Sequence, residues 1–353
     1  MKRRFFSILT ALALCLSLLP GTAWAEDVAA GGILAENPAG ESISKVYEHG
    51  KVTLNNGDII TNDGEVMTNR GFISQVTATG TVNLNENYES GSRRGRIDSN
   101  AGHVETNRGY INANTGTVQS NHSNGTVSGN YNNGKINNND GIVANNQANV
   151  GTNNGSVHNQ YPDAVVNANY GTVYNANGTV NDNKPGGIVF NMATVVNNEP
   201  GGKVYNCGGT VTNNSGDVYW QVTGNTGGVT FSPELADPNY NQYKFIQEGC
   251  TITPPDGYIF STPPTAANAI LIPSGNGYTI TNITAAPVEH TVSTAASDGI
   301  VAKVEQNVTL SYYGDFMDAW DAACSMAAPH SHPGKPLKII DRISIWLKRF
   351  FVV

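Results

Sequence analysis

A branched aliphatic residue recurs about every seven positions from Val52 to Val218, each time between polar neighbours. The repeat reads Gly-x-(Val/Ile)-x-x-Asn-x, as in residues 102–108 and 116–122. About 23 repeats follow one another at spacings of mostly seven residues. Only between residues 82 and 97 is one expected repeat not recognisable in the sequence. A single Val or Ile between polar residues is typical of a short strand with one buried face. The pattern therefore predicts a stack of short strands.

The segments between these strands predict corners. Most contain Asn-x-Gly, as in residues 55–57 and 107–109, and Asn and Gly adopt left-handed backbone geometry at low cost. A chain that makes the same kind of corner after every short strand forms a coil. Hairpins instead need primed turns between longer strands. The position two after each Val or Ile is predicted to point inward and is small or polar, as at Thr61, Thr68, Thr106, Ala113, Ser120 and Gly129.

We therefore predict an all-β fold, a parallel β-helix (solenoid) of short rungs. About three repeats per coil, or roughly 21–25 residues, are favoured, and a two-walled roll of about 14–16 residues per coil is the alternative. At a strand spacing of about 4.8 Å the solenoid would be roughly 36 Å or 55 Å long. The Asn three residues after each Val or Ile would stack on its equivalents in hydrogen-bonded ladders.

These rungs resemble those of secreted bacterial parallel β-helix proteins, both the pectate-lyase-like folds and the filamentous haemagglutinin type of adhesin. The resemblance covers about half of the chain. It implies a fold shape and export, and it assigns no function, because one fold carries many activities.

The first 25 residues predict an export signal. Basic residues at positions 2–4 precede an apolar run over residues 5–19 and a small-x-small cleavage site, Ala23-Trp24-Ala25. The run is shorter than the roughly 20 residues of a spanning helix. We expect residues 1–25 to be removed and the mature protein to be secreted, extracellular or associated with the cell surface.

The predicted organisation continues with an N-terminal cap over residues 26–50 and the solenoid over residues 51–220. After residue 220 the composition shifts towards Pro, Tyr and Thr, and residues 228–312 predict a small β module. Two of its stretches, residues 249–260 and 275–288, are similar to small β repeats of bacterial surface proteins. A short helix and a linker occupy residues 313–336.

The last segment, residues 337–353, predicts an amphipathic helix. Its apolar residues recur at helical spacing, with basic residues on most of the opposite face, as in helices that lie on a membrane surface. A helix that packs on its own protein or on a partner is an equal alternative. The residues predicted to contact a membrane or partner are Ile339, Ile340, Ile343, Trp346, Leu347, Phe350 and Phe351.

Composition and charge exclude several classes of function. A net charge of −8 argues against nucleic-acid binding, which usually needs a basic surface. Asn makes up about a fifth of residues 52–218, and the ladders explain this richness. Cys207, Cys250 and Cys324 remain after export, too few for a disulfide scaffold, although Cys207 and Cys250 could pair. We expect no cofactor and no metal site.

Catalytic residues are not evident. Asp98 and Glu105 occupy equivalent places in consecutive repeats, and neither type of coil places them side by side as a glycosidase would need. His330 and His332 lack a neighbouring carboxylate or thiolate for metal binding. We therefore predict a non-enzymatic, structural or adhesin-like protein whose solenoid is a rigid rod or display surface. Its partners would be glycans or host and cell-surface proteins. A polysaccharide lyase or glycosidase is the alternative.

Overall fold

The computed structural model describes residues 24–25, 27–87, 95–224, 229–236, 244–285, 288–296, 302–306 and 309–313. The chain divides into two compact units. The first contains the described residues up to Gly202 together with Val211–Ser215, and the second contains Lys203–Thr210 and the described residues from Gly216 onward. All regular elements among the described residues are strands.

In chain order the strands are β1 (Trp24–Ala25), β2 (Ile33–Asn37), β3 (Ser42–Val46), β4 (Lys51–Asn55), β5 (Asp58–Asn62), β6 (Glu65–Asn69), β7 (Phe72–Val76), β8 (Thr81–Glu86), β9 (Arg96–Asn100), β10 (His103–Arg108), β11 (Tyr110–Asn114), β12 (Thr117–Asn121), β13 (Thr126–Asn130), β14 (Lys135–Asn139), β15 (Ile142–Asn146), β16 (Asn149–Asn153), β17 (Ser156–Asn159), β18 (Val165–Asn169), β19 (Thr172–Asn175), β20 (Thr179–Asn183), β21 (Ile188–Asn191), β22 (Thr194–Asn198), β23 (Lys203–Asn206), β24 (Thr210–Asn214) and β25 (Asp217–Gly224). They are followed by β26 (Thr230–Ser232), β27 (Leu235–Ala236), β28 (Lys244–Ile246), β29 (Thr251–Thr253), β30 (Tyr258–Ala266), β31 (Ile270–Ser274), β32 (Gly277–Thr281), β33 (Val288–Ala296), β34 (Ala302–Gln306) and β35 (Thr309–Tyr313).

The strands of the first unit form two parallel sheets, which we call wall A and wall B. Wall A contains the odd-numbered strands β3 to β21, and wall B contains the even-numbered strands β2 to β24. Strands two apart in sequence pair in register: in wall B, Asn55 lies opposite Asn69, 14 residues further along the chain. The parallel solenoid, of about 11 turns, is thus confirmed.

The prediction of three repeats per coil is wrong, because two repeats close each turn. Each wall contributes one Val or Ile and one Asn per rung to the interior, for example Val104 and Asn107 in wall B, both fully buried. Such small side chains fill a narrow space between two walls, whereas a triangular interior of the same residues would contain a void. Strands β2 and β3 extend this arrangement into residues 33–46, within the segment predicted as a cap.

Within the described residues, the stretch between residues 82 and 97, predicted to hide a repeat, adds no further strand to either wall. Strand β8 belongs to wall B and β9 to wall A, and β9 pairs directly with β7 of the preceding turn. The amide of Gly95 donates to the carbonyl of Glu86 at 3.0 Å, so the chain leaves and re-enters the solenoid at one corner. The long interval is therefore an insertion at a corner.

The corner glycines are needed for a reason other than the one predicted. Left-handed φ angles occur at other glycines, such as Gly40 and Gly186, and not at the corner residues Gly116 or Gly155. A Cβ atom on Gly116 would lie 2.2 Å from the carbonyl oxygen of Gly102, one turn below. Equivalent glycines thus stack backbone against backbone, and a Cβ atom on Gly116 would require the two turns to move apart.

The inward position after Val or Ile was also predicted incorrectly. Residues two positions later, such as Thr106 and Ser120, are only partly buried, whereas the Asn three positions later is fully buried. The predicted Asn ladders are present. In wall B an unbroken column of side-chain hydrogen bonds, each 2.7–2.9 Å from Nδ2 to the next Oδ1, joins Asn37, Asn55, Asn69, Asn85, Asn107, Asn121, Asn139, Asn153, Asn169, Asn183, Asn198 and Asn214.

The Asn column of wall A is interrupted. It runs from Asn100 to Asn191, but Val46 and Val76 occupy two of the preceding positions and lie opposite Asn62. Each amide donates towards the C-terminal end of the solenoid, so the Asn that follows a Val receives no donor. The Oδ1 atoms of Asn62 and Asn100 are accordingly buried without a hydrogen-bond partner.

Replacing Val76 with Asn should stabilise the first unit by about 1 kcal/mol, because the new amide can accept from Asn62 and donate to Asn100. Denaturant unfolding monitored by circular dichroism would measure the change. The matched control is Val118→Asn, which places the same amide in the Val column of wall B and should destabilise the fold. Equal destabilisation by both variants would contradict the account of the interrupted ladder.

The second unit contains two layers of sheet. Strand β25 pairs with β23, β28 and β33, β27 pairs with β28, and β30 pairs with β33. Strands β26, β29, β32 and β31 form a four-stranded antiparallel sheet, and β34 and β35 form a separate antiparallel pair. A hydrophobic core contains Val229, Phe231, Ile246, Cys250, Ile252, Phe260, Leu271, Tyr278, Ile280 and Val292.

Several predicted segments lie outside the described residues. These are the signal peptide except for β1, the short helix and linker over residues 313–336 except for Tyr313, which ends β35, and the amphipathic helix over residues 337–353. The part of the chain that the structure describes contains no helix, so the fold that can be stated is an all-β solenoid followed by a β module.

Candidate functional site

Wall A carries a column of outward-facing rings in its last turns. In β17, β19 and β21 the repeat is one residue shorter, so that a single residue separates the buried Val from the buried Asn. Because side chains alternate along a strand, this residue points outward. It is His158, Tyr174 and Phe190 in the three strands, which we call the aromatic column.

The rings of the aromatic column contact one another. The centroids of His158 and Tyr174 are 4.5 Å apart, and those of Tyr174 and Phe190 are 5.2 Å apart with nearly parallel planes. All three side chains are half-buried. The contacts follow from the in-register pairing of β17, β19 and β21, since the strand spacing is about the stacking distance of two rings.

The wall A strands around the aromatic column carry no formal charge. The wall A strands β11 to β21 contain no Asp, Glu, Lys or Arg. Burial lowers the pKa of His158 below its usual 6.5, which keeps the imidazole neutral at pH 7. Hydroxyl and amide side chains, including Asn145, Ser156 and Thr172, complete this surface.

The lowered pKa of His158 predicts a pH-dependent stability. The folded protein disfavours the imidazolium, so stability is greatest above pH 6.5 and falls as the pH drops below 6.5 towards the folded-state pKa. His158→Phe should preserve the ring contact with Tyr174 and reduce the loss of melting temperature between pH 7.5 and pH 5. The control is His122→Phe, at a partly buried histidine in a corner of the solenoid. An unchanged pH profile in His158→Phe would contradict this prediction.

The first turns of the solenoid are charged, in contrast to the wall A strands around the aromatic column. Lys45 contacts Asp63 at 2.7 Å, and the hydrogen bonds of Asp63 with Lys45 and Thr77 lower the pKa of its carboxyl group. Arg96 lies between the rings of Phe72 and Tyr110 on wall A, with its guanidinium carbon 6.0 Å and 5.7 Å from their centroids.

A shallow depression of about 430 Å³ lies at a corner of these charged turns. Its lining includes Glu48, His49, Lys51, Asp63 and Glu65, and Lys51 and Glu65 form an ion pair at 3.3 Å. Lys45 and Lys51 pair with Asp63 and Glu65, and Glu48 lies 3.9 Å from His49, so the depression has a small acidic excess.

The two acids considered as catalytic candidates are far from forming a pair. Asp98 lies on β9 in wall A and Glu105 on β10 in wall B. Each has a local partner: Asp98 forms an ion pair with Arg96 at 2.6 Å, and Glu105 forms a hydrogen bond with His103 at 2.9 Å. This arrangement supports solvated outward charges at both positions.

The two described cysteines are not joined by a disulfide. The thiol of Cys207 lies 3.8 Å from the carbonyl of Tyr205, and that of Cys250 lies 3.5 Å from the carbonyl of Pro233. Burial raises the pKa of Cys250 to about 11, which makes its thiol a poor nucleophile.

The seven residues predicted to contact a membrane or partner, from Ile339 to Phe351, and the two histidines His330 and His332 lie outside the described residues. Within the described ranges, no cluster of His, Cys, Asp and Glu side chains could hold a metal ion. Within the same ranges, no helix has the length and apolarity needed to cross a bilayer.

The aromatic column was missed by the sequence analysis, although a signal for it is present. The repeats at residues 157–159, 173–175 and 189–191 have only one residue between Val and Asn, and that residue is an aromatic or His in each. Their spacing of 16 residues is that of one turn, which becomes visible only when two repeats are known to close a coil.

Comparisons of the chain with protein families, with curated proteins and with solved structures found no match.

Proposed function

We propose that the protein is an exported, non-enzymatic and adhesin-like rod that acts at the cell surface or outside the cell. The observation that carries this proposal is the unbroken Asn column of wall B from Asn37 to Asn214. Each amide in it is tied to the turns above and below, and a solenoid with such continuous internal bonding resists bending and local opening. Rigidity of this kind suits a structural or display role.

We further propose that the surface around the aromatic column binds uncharged glycan chains. A pyranose ring has apolar C–H faces and a rim of hydroxyl groups, which matches rings flanked by hydroxyl and amide side chains. The absence of formal charge on the wall A strands from β11 to β21 favours a neutral ligand over an acidic one. An extended sugar chain also advances by a distance similar to the strand spacing, so successive sugars could meet successive turns.

The alternative of a polysaccharide lyase or glycosidase has no specific support. Asp98 and Glu105 lie on different walls, and hydrolysis of a glycosidic bond needs two carboxyl groups on either side of the same bond. We therefore propose that the protein binds glycans and do not propose that it cleaves them.

Binding of residues 26–353 to arrays of neutral and acidic glycans tests the ligand class. The triple variant His158→Ser, Tyr174→Ser and Phe190→Ser should lower the affinity for neutral glycans by about tenfold or more. The control is Gln119→Ser, Asn167→Ser and Asn181→Ser, which changes outward positions of wall B. Preferential binding of acidic glycans, or of proteins without glycans, would reject the proposed ligand, as would equal binding by both variants.

Export is tested separately. A chain that begins at residue 26 should remain inside the cell, whereas the full chain should appear in the culture medium or on the cell surface without its first 25 residues. Retention of the full chain in the cytoplasm would reject the proposed location and leave the fold unaffected.

A further inference from the structure

Five Asn-Gly pairs lie at corners of the solenoid, at residues 56–57, 124–125, 133–134, 154–155 and 177–178. In four of them the Gly amide donates a backbone hydrogen bond. The acceptors are the carbonyls of Asn37, His122, Tyr131 and Asn139, at 3.1, 2.7, 2.8 and 3.0 Å respectively. For Gly178, in contrast, no hydrogen-bond acceptor is present among the described residues.

An additional residue explains the difference. After Asn153 only Asn154 precedes the glycine, and the amides of Asn154 and Gly155 both donate to the carbonyl of Asn139. After Asn175 two residues precede the glycine, so the amides of Ala176 and Asn177 donate to the equivalent carbonyl, that of Asn159, at 2.8 and 3.3 Å. The amide of Gly178 is therefore displaced from the bonding position.

The same corner is loosened in a second respect. The ladder bond from Asn159 to Asn175 is 3.3 Å, whereas the other bonds of the two Asn columns are 2.7–2.9 Å. The side chain of Asn177 is exposed and is held by a single hydrogen bond from Nδ2 to the carbonyl of Gln160, at 3.1 Å.

We infer that Asn177 is a site of spontaneous deamidation, with water as the co-reactant. The backbone nitrogen of Gly178 attacks Cγ of Asn177 and loses its proton, a new C–N bond forms, and the side-chain nitrogen leaves as ammonia. Water then adds to one of the two carbonyls of the resulting succinimide and opens the ring, which yields Asp or isoaspartate. At the other four pairs the attacking nitrogen must first give up its hydrogen bond.

Peptide mapping by mass spectrometry during incubation of the intact protein at pH 8 tests the inference. Asn177 should deamidate about tenfold faster than Asn154, the ratio produced by one backbone hydrogen bond of about 1.4 kcal/mol. The modification would add one negative charge at this corner of the solenoid. Equal rates at Asn177 and Asn154 would overturn the inference.

Deletion of Ala176 is the matched variant, because it converts the corner to the Asn-Asn-Gly sequence found at residues 153–155. The rate at Asn177 should then fall to that of Asn154. Insertion of Ala between Asn153 and Asn154 should raise the rate at Asn154 in the same way. If neither change alters the rates in folded protein, the missing hydrogen bond is not the cause and the assignment fails.

Discussion

Asn139→Ala should lower the free energy of unfolding of the first unit by about 3 kcal/mol. Asn139 is fully buried in the column of wall B, where it accepts from Asn121 and donates to Asn153, both at 2.7 Å. Its removal leaves the Oδ1 atom of Asn153 buried without a donor and opens a cavity beside it. Denaturant unfolding at equilibrium, followed by circular dichroism, measures the loss.

The preceding residue supplies the control. Asn138 is exposed on the same strand, and Asn138→Ala should change the stability by less than about 0.5 kcal/mol. Similar losses of stability in the two variants would show that an Asn in the buried ladder contributes no more to stability than an Asn on the outer surface.

Gly116→Ala should also be strongly destabilising, by about 2–3 kcal/mol. The added Cβ would lie 2.2 Å from the carbonyl oxygen of Gly102 and 2.7 Å from that of Ala101. Both carbonyl oxygens belong to the backbone of the adjoining turn, so the clash can be relieved only if the two turns move apart. The melting temperature of the purified variant gives the effect.

The same corner column contains three natural alanines, Ala148, Ala164 and Ala193, and the hydrogen bonds that follow them are 3.3, 2.8 and 3.3 Å long. After Ala148, the hydrogen bond from the amide of Asn149 to the carbonyl of Gly134 is 3.3 Å long. The equivalent bond after Gly116, from the amide of Thr117 to the carbonyl of Gly102, is 2.8 Å long. Ala148→Gly should therefore be close to neutral, because a shorter hydrogen bond offsets the greater backbone entropy of glycine. A neutral Gly116→Ala would contradict the requirement for close approach.

The buried Val and Ile positions and the Asn ladders were accessible from the repeat alone, whereas the second inward position was misplaced by one residue. Val and Asn recur at a constant separation, as in residues 118–121, and a buried amide repeated at every turn has its best partner in its own copy. The number of walls was not accessible in this way, because each repeat supplies the same strand and corner whichever wall it joins. The insertion between β8 and β9 was misread for the same reason, since spacing alone cannot distinguish a strand from a corner loop.

The candidate site was predicted less well than the fold. The opposite placement of Asp98 and Glu105 was foreseen for a two-walled roll, and it holds. The contact between His158, Tyr174 and Phe190 required a register in which residues 16 apart are neighbours. The difference between Gly155 and Gly178 likewise depends on which carbonyl each amide reaches, and this is a property of stacked turns.

The sequence by itself determined that short strands coil in one direction around a buried series of branched aliphatic and amide side chains, because those residue preferences are local and repeat at every corner. Only the tertiary structure decided that two strands close a turn, that glycine is needed where backbones touch, and that Val46 and Val76 leave two carbonyl oxygens unsatisfied. These features arise from contacts between turns, and such contacts exist only once the register of one turn on the next is set.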